Sequence, residues 1–145
     1  MLKRWLGLDL GHVRIGVALS DPLGLTAQPL TVLKSAGTQK DIAAIGELVI
    51  KHEVTQVIVG LPLNMDGTES STTKKVREFT AKLAERLNVP VFFVDERLTS
   101  KQAERVMIEG DVRREKRKEK IDQVAAALLL QSALGGILLM PVVKP

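Results

Sequence analysis

The 145-residue chain predicts an α/β fold, a mixed sheet covered by helices, and two observations predict it. The first third holds three consecutive strand-like stretches separated by turn residues. The rest alternates amphipathic helical stripes with short apolar runs, the pattern of crossover units on a parallel sheet. A meander that feeds crossover units needs antiparallel and parallel pairings in one sheet. At 45% hydrophobic and 26% charged residues, the composition is that of an ordinary globular protein with one substantial core. No repeat or linker divides it, and residues 1–145 read as one domain.

Residues 4–10 and 13–20 read as the first two strands. In the second, Val13, Ile15, Val17 and Leu19 alternate with Arg14, Gly16, Ala18 and Ser20, which puts the larger apolar side chains on one face. Gly11-His12 between them is a short hairpin signal. The stretch Ser20-Asp21-Pro22-Leu23-Gly24 turns the chain into a third strand over 26–33. Pro29 puts that strand at a sheet edge, because proline cannot donate to a ladder. Residues 38–52 read as a helix, with Thr38 as candidate N-cap and Ile42, Ile45, Leu48 and Val49 along one side. Val57-Ile58-Val59-Gly60 is a short buried strand, and 61–73 is a loop rich in Gly, Asn, Ser and Thr.

Val76, Phe79, Leu83 and Leu87 stripe a second helix, and 88–94 returns to strand. Thr99, with Gln102 three residues on, has the form of a capping box that opens a third helix. Residues 110–120 are a charged segment. Residues 121–134 form the last helix, stopped by Gly135-Gly136. The segment 138–143 fits a terminal strand, a packed tail or a contact surface.

There is no cysteine, which excludes disulfides and thiolate chemistry and accords with a reducing, cytoplasmic setting. No apolar run approaches the roughly 20 residues of a membrane span. The N-terminus leads straight into a strand bearing Asp9, so no targeting segment is expected. The net charge of +4 and pI near 9.5 admit a polyanionic partner without demanding one.

Acidic residues carry the chemical argument. Asp9 sits in the apolar run 5–11, and alternation points it with Trp5, Gly7 and Gly11 away from Leu6, Leu8 and Leu10. The flanking glycines leave room for a cation or a phosphate, although a strand-end aspartate can also simply cap a hairpin. Asp95-Glu96-Arg97 ends the strand over 88–94, and open sheets collect ligands at strand carboxyl ends. Neighbours in extended chain face opposite ways. One of the two acids therefore reaches the site, Glu96 in preference to Asp95, and the other pairs with Arg97 or holds a loop. Asp122 opens the last helix, where the macrodipole alone would favour an acid, but it shares a face with Ala125, Ala126 and Leu129. Converging carboxylates repel, and a divalent cation is the usual relief. Metal-assisted phosphodiester chemistry is the leading expectation.

Arg97, beside the two acids, is also a candidate substrate contact, and two further segments bear on a substrate. In the loop after the 57–60 strand, Asn64, Asp66 and Thr68 offer polar groups and Gly67 a tight turn, which also fits an ordinary Asp-Gly turn. Residues 113–120 hold six basic and two acidic side chains, among them Arg113, Arg114, Lys116 and Arg117, just before Asp122. Such a run neutralises phosphates, or else lies solvated. With no tyrosine and 3% aromatic residues, backbone and shape recognition fits better than base stacking. His12 reads as a surface histidine near Asp9.

Taken in order, Gly7-Leu8-Asp9-Leu10-Gly11 with Arg14-Ile15-Gly16-Val17-Ala18, the stretch from Val59 through Leu61-Pro62-Leu63-Asn64-Met65-Asp66-Gly67, Asp95-Glu96-Arg97-Leu98-Thr99 and Asp122-Gln123-Val124-Ala125-Ala126 resemble the YqgF, or RuvX-like, family. Its members are described as Holliday-junction resolvases and as bacterial pre-16S rRNA nucleases. The resemblance spans nearly the whole chain. It implies an RNase H-like fold with a five-stranded mixed sheet and helices on both faces, and endonuclease chemistry with Mg²⁺ or Mn²⁺. It implies that Asp9, Glu96 (or Asp95) and Asp122 form the acidic metal site, with Arg14 and the basic run positioning the substrate backbone. The implied role is trimming the 5′ end of precursor 16S rRNA in the cytoplasm, by a monomer or weak homodimer. Three rivals remain. One is a resolvase of branched DNA. Another is an ATP-binding module, which normally needs two lobes. The third is a non-catalytic RNA-binding assembly factor on the same scaffold.

Overall fold

The computed structural model describes residues 4–99 and 114–143. Strands β1 (Trp5–Leu10), β2 (Arg14–Ser20) and β3 (Ala27–Lys34) come first, followed by helix α1 (Thr38–Lys51) and β4 (Gln56–Leu61). Helix α2 (Ser71–Arg86), β5 (Val91–Asp95), a single 3₁₀ turn (Glu96–Leu98), the long helix α3 (Arg114–Leu134) and the two-residue β6 (Met140–Pro141) complete the order. The sheet runs β3-β2-β1-β4-β5-β6. The β1–β2, β2–β3 and β5–β6 pairs are antiparallel, and β1–β4 and β4–β5 are parallel. The mixed sheet is as expected, but it has six strands rather than five. The extra strand comes from the segment 138–143, where Met140 and Pro141 pair with Phe93 and Phe92. Pro29 does lie at an edge, on β3, beside a register shift between Val17 and Ala18.

Helices cover both faces. Leu6, Leu8, Ile15, Val17, Val57 and Val59 pack under Ile42, Ile45 and Val49 of α1 and Val76 and Leu83 of α2. On the other face, Ala18, Ile58 and Val94 pack under Ala126, Leu130 and Ala133 of α3. The period-2 alternation of the strands thus divides two apolar cores, as the patterns of β1 and β2 require.

Three boundaries differ from the sequence reading. The N-cap of α1 is Gly37, which offers no side-chain cap, rather than Thr38. The second helix begins at Ser71, so the last three residues of the stretch read as loop are helical. Ser70 and Thr73 close a reciprocal capping box there, and the Thr73 hydroxyl also donates to the Pro62 carbonyl. The last helix starts at Arg114 rather than at residue 121. Arg, Lys and Glu are good helix formers, so the charged segment from 114 onward supplies its first two turns. Thr99 closes the 3₁₀ turn, its hydroxyl donating to the Glu96 carbonyl at 2.9 Å. The helix expected to open at Thr99 falls, beyond Thr99 itself, outside the described residues, as do its capping-box partner Gln102 and Arg113.

Candidate active site

Close approach between α3 and the sheet builds the site, and glycines in strand interiors permit it. A methyl group on Gly16 would overlap the carbonyl oxygen of Asp122. On Gly7 it would meet Leu130 Cβ at 2.8 Å, and on Gly60 Leu129 Cδ1 at 2.6 Å. The three glycines form a track on one face of β2, β1 and β4 along which α3 lies.

That track brings the acids together. Asp9, 4% exposed, pairs across the hairpin with Gly16, over which the Asp122 backbone passes. Val59 pairs with Leu8, so Gly60 stands at the level of Asp9 on the other side. Glu96 lies over Gly60, its Oε2 3.1 Å and its Cγ 3.2 Å from where a methyl would stand. Asp9, Glu96 and Asp122 therefore converge at one end of one face, at the carboxyl ends of β1, β4 and β5. Arg14 opens β2 at the same end, two residues before Gly16 and on its side of the strand. Asp122 is the ninth residue of α3, not its first. The macrodipole reading of this acid is thereby removed, because that effect fades within the first turn.

The two adjacent acids divide the work. Asp95 turns to Arg97, which donates from Nη2 to Oδ2 at 2.7 Å and from Nε to both oxygens at 3.1 Å, while the Arg97 backbone N–H donates to Oδ1 at 2.9 Å. These side-chain bonds from Arg97, with its backbone N–H and its charge, hold the Asp95 carboxyl below the usual carboxylate range, against the opposing effect of burial. Arg97 Nη1 donates to the Met65 carbonyl at 3.2 Å. Its guanidinium lies 3.3 Å from where a side chain on Gly67 (φ 88°) would start.

Asn64 and Asp66, expected to face substrate, bond within their own turn. Asn64 Nδ2 donates to the Thr68 hydroxyl at 2.9 Å, and that hydroxyl donates to Asp66 Oδ1 at 2.6 Å. The Thr68 hydroxyl, with its backbone N–H, lowers the Asp66 pKa. The turn leaves Met65 87% exposed at its tip. Arg114, Lys116 and Arg117 stand on the first turns of α3.

All the donors offered by Asp9, Glu96 and Asp122 are carboxylate oxygens, the set that hard divalent cations prefer. Among the described residues no group of three or more acidic, histidine or cysteine side chains is arranged to hold an ion. The convergence is therefore one of backbone positions. Sequence reasoning passed over Gly16 and Gly60 as functional positions, although a glycine inside an apolar strand is itself the signal for close backbone approach.

A twisted mixed sheet with this order, helices on both faces and acids at the carboxyl ends of its central strands is the RNase H-like architecture of the resolvase class. Within that class the chain belongs to the RuvX family, whose model, described as Holliday junction resolvase, matches residues 3–136. It is 48% identical to a protein of Syntrophomonas wolfei over 92% of this chain and 94% of that one. It is 49% identical to a protein of Myxococcus xanthus over 90% of this chain and 87% of that one. Both relatives carry the provisional name pre-16S rRNA nuclease.

Among solved structures, T. thermophilus RuvC in complex with a Holliday junction substrate matches with a TM-score of 0.60 at 18% identity, covering 94% of this chain and 99% of that one. A fowlpox virus resolvase in complex with Holliday junction DNA matches with a TM-score of 0.53 at 17% identity, covering 91% and 97%. At these identities the likeness is one of fold. By family the chain is a nuclease, an enzyme that hydrolyses phosphodiesters.

Proposed function

We propose that this chain is a divalent-metal endonuclease that trims the 5′ end of precursor 16S rRNA in the cytoplasm. The observation that carries the reading is the convergence of Asp9, Glu96 and Asp122 on the glycine track. The choice of RNA follows the name its relatives carry. Asp9, Glu96 and Asp122 would hold Mg²⁺ or Mn²⁺. When bound, such ions supply an activated water and stabilise charge on the leaving 3′ oxygen. Arg14 and the basic run (Arg113, Arg114, Lys116 and Arg117) orient the phosphate backbone, while burial of Asp9 keeps its carboxylate away from bulk water. Asp95 serves as the partner of Arg97 rather than as a ligand. The domain acts as a monomer or weak homodimer, and among the described residues no helix is long and apolar enough to cross a membrane.

The second reading is resolution of branched DNA, favoured by the description of the family model. One experiment addresses both. Precursor 16S RNA and a four-way DNA junction are incubated with the protein in Mg²⁺, Mn²⁺ or EDTA, with Asp9→Asn alongside. Metal-dependent cleavage of RNA, lost in Asp9→Asn while its circular dichroism and melting are retained, is expected. Cleavage of the junction alone would replace the first reading by the second. RNA binding without cleavage in any metal would make the chain an assembly factor, and full activity in a folded Asp9→Asn protein would remove the site.

A further inference from the structure

On the face of the sheet opposite the carboxylates, between the start of α1 and α2, lies a cleft of about 350 Å³. Its floor is apolar, made by Leu10 and Ile15 of the first hairpin and by Val76 and Phe79 of α2. Its mouth is charged, with His12 on the hairpin tip and Lys75 and Lys82 on α2. A volume above about 300 Å³ with an apolar floor and a few polar groups is the usual form of a small-molecule site.

The charges in the cleft select the ligand. Asp41 is buried in the wall, but its carboxylate already accepts from the Ser35 hydroxyl at 2.7 Å and the Ala36 N–H at 2.9 Å. Lys75 and Lys82 make no ion pair among the described residues. Glu78 lies between them on α2 and Asp41 in the wall, so two carboxylates offset the two lysines and the cleft as a whole is close to neutral, with its cations at the mouth. The cleft also begins at Gly11 and His12, directly beyond Asp9 and Leu10. A strand leaving the carboxylates has only the hairpin tip to cross.

We propose that this cleft is a second binding site that takes one nucleoside phosphate unit, its base on the Leu10, Ile15, Val76 and Phe79 floor and its phosphate at Lys75 and Lys82. The choice of a nucleotide rests on the nucleic-acid reading above. Two sources supply that chemistry, a nucleotide of the bound strand several positions from the cut and a free nucleoside monophosphate.

The test uses the full chain, methyl-labelled at Ile, Leu and Val, in EDTA so that no turnover occurs. Uridine monophosphate and a short oligouridylate are titrated separately while the methyl resonances of Leu10, Ile15 and Val76 are followed. Both ligands are expected to shift these methyls, the oligonucleotide more tightly. Replacing both lysines, Lys75→Gln with Lys82→Gln, is expected to weaken binding about tenfold, the effect of roughly one lost charged contact. Tighter binding of the mononucleotide would support the same site with a free nucleotide as its ligand. No shift at these methyls with either ligand would overturn the proposal, and so would shifts that the lysine substitutions leave unchanged. Because the readout needs no cleavage, failure of the nuclease reading leaves this result interpretable, and failure here leaves the Asp9→Asn result standing.

Discussion

Arg97 sits between a strand end and a loop, and its bonds define a strut. Three of its nitrogens are engaged, Nε and Nη2 by Asp95 and Nη1 by Met65. Sequence alone assigned it to substrate, since an arginine beside two acids at a strand end reads equally as a phosphate ligand. What the sequence could not display was the turn of residues 64–68, which brings the Met65 carbonyl to it. Lysine cannot reproduce this fork. Arg97→Lys is expected to lower the melting temperature, since the bonds to Asp95 and to the Met65 carbonyl cannot all be remade. It should lower kcat more than it raises KM, because Glu96 loses both fixed neighbours. A rise in KM alone, with a weaker salt dependence of binding, would instead make Arg97 a phosphate contact. The pH effect has a definite sign. Asp95 is held below its ordinary value mainly by its side-chain bonds to Arg97. It therefore stabilises the fold above the unfolded-state value of 3.8, and that stability is lost as pH falls through the folded value. In Arg97→Lys the acid-unfolding midpoint should move to higher pH, which a pH series of melts would record.

Elements were legible where periodicity is strong and obscure where it is not. The alternation in β1 and β2 located both strands and correctly sorted Asp9 and Gly7 from Leu6 and Leu8, because a half-buried strand admits only one assignment of faces. The start of α3 was hidden because residues 114–120 carry no apolar stripe, and charged helix turns look like a solvated loop. That error also misplaced Asp122 at a helix terminus. β6 was undecidable because two residues give no period. Convergence of the acids was only half visible, since it depends on how closely α3 meets the sheet. Gly16 tests that contact. Gly16→Ala places a methyl against the backbone of Asp122, which cannot rotate away as a side chain can. It should destabilise by about 3 kcal/mol, and the protein that remains folded at low temperature should have lost cleavage as α3 is displaced. Gly46→Ala on α1 is the matched control. Its methyl would meet only Leu87 Cδ2, at 4.0 Å, so relief of the helical glycine cost should raise stability by up to about 1 kcal/mol. Urea titrations of both variants give the comparison, and equal effects would mean that the glycine track is not a packing constraint.

At the scale of the whole molecule, the sheet order sets where charge meets substrate. β1 is central, with an antiparallel neighbour on one side and a parallel one on the other, so the carboxyl ends of β1, β4 and β5 lie side by side while β2 runs back from them. The acids occupy that end. A cluster of carboxylates repels a polyanion, and the protein answers with a net charge of +4 and with a basic run that forms the first turns of α3 immediately ahead of Asp122. The run from residue 114 and Asp122 share one helix, so on the proposed function a phosphate held by the run would lie at a fixed number of residues from the acid. If the run neutralises phosphates, the dependence of log binding constant on log salt should carry its signature, about 0.7 per contact on a single strand and about 0.9 on a duplex. Lys116→Gln combined with Arg117→Gln should flatten the slope by about 1.4 for precursor RNA or about 1.8 for a DNA junction, while kcat at saturating substrate stays unchanged because neither side chain belongs to the acidic cluster. Binding measured by fluorescence anisotropy across a salt series reads the slope directly. An unchanged slope would return the run to the role of a solvated helix start and leave Arg14 and the cleft lysines as the positive groups that meet the backbone.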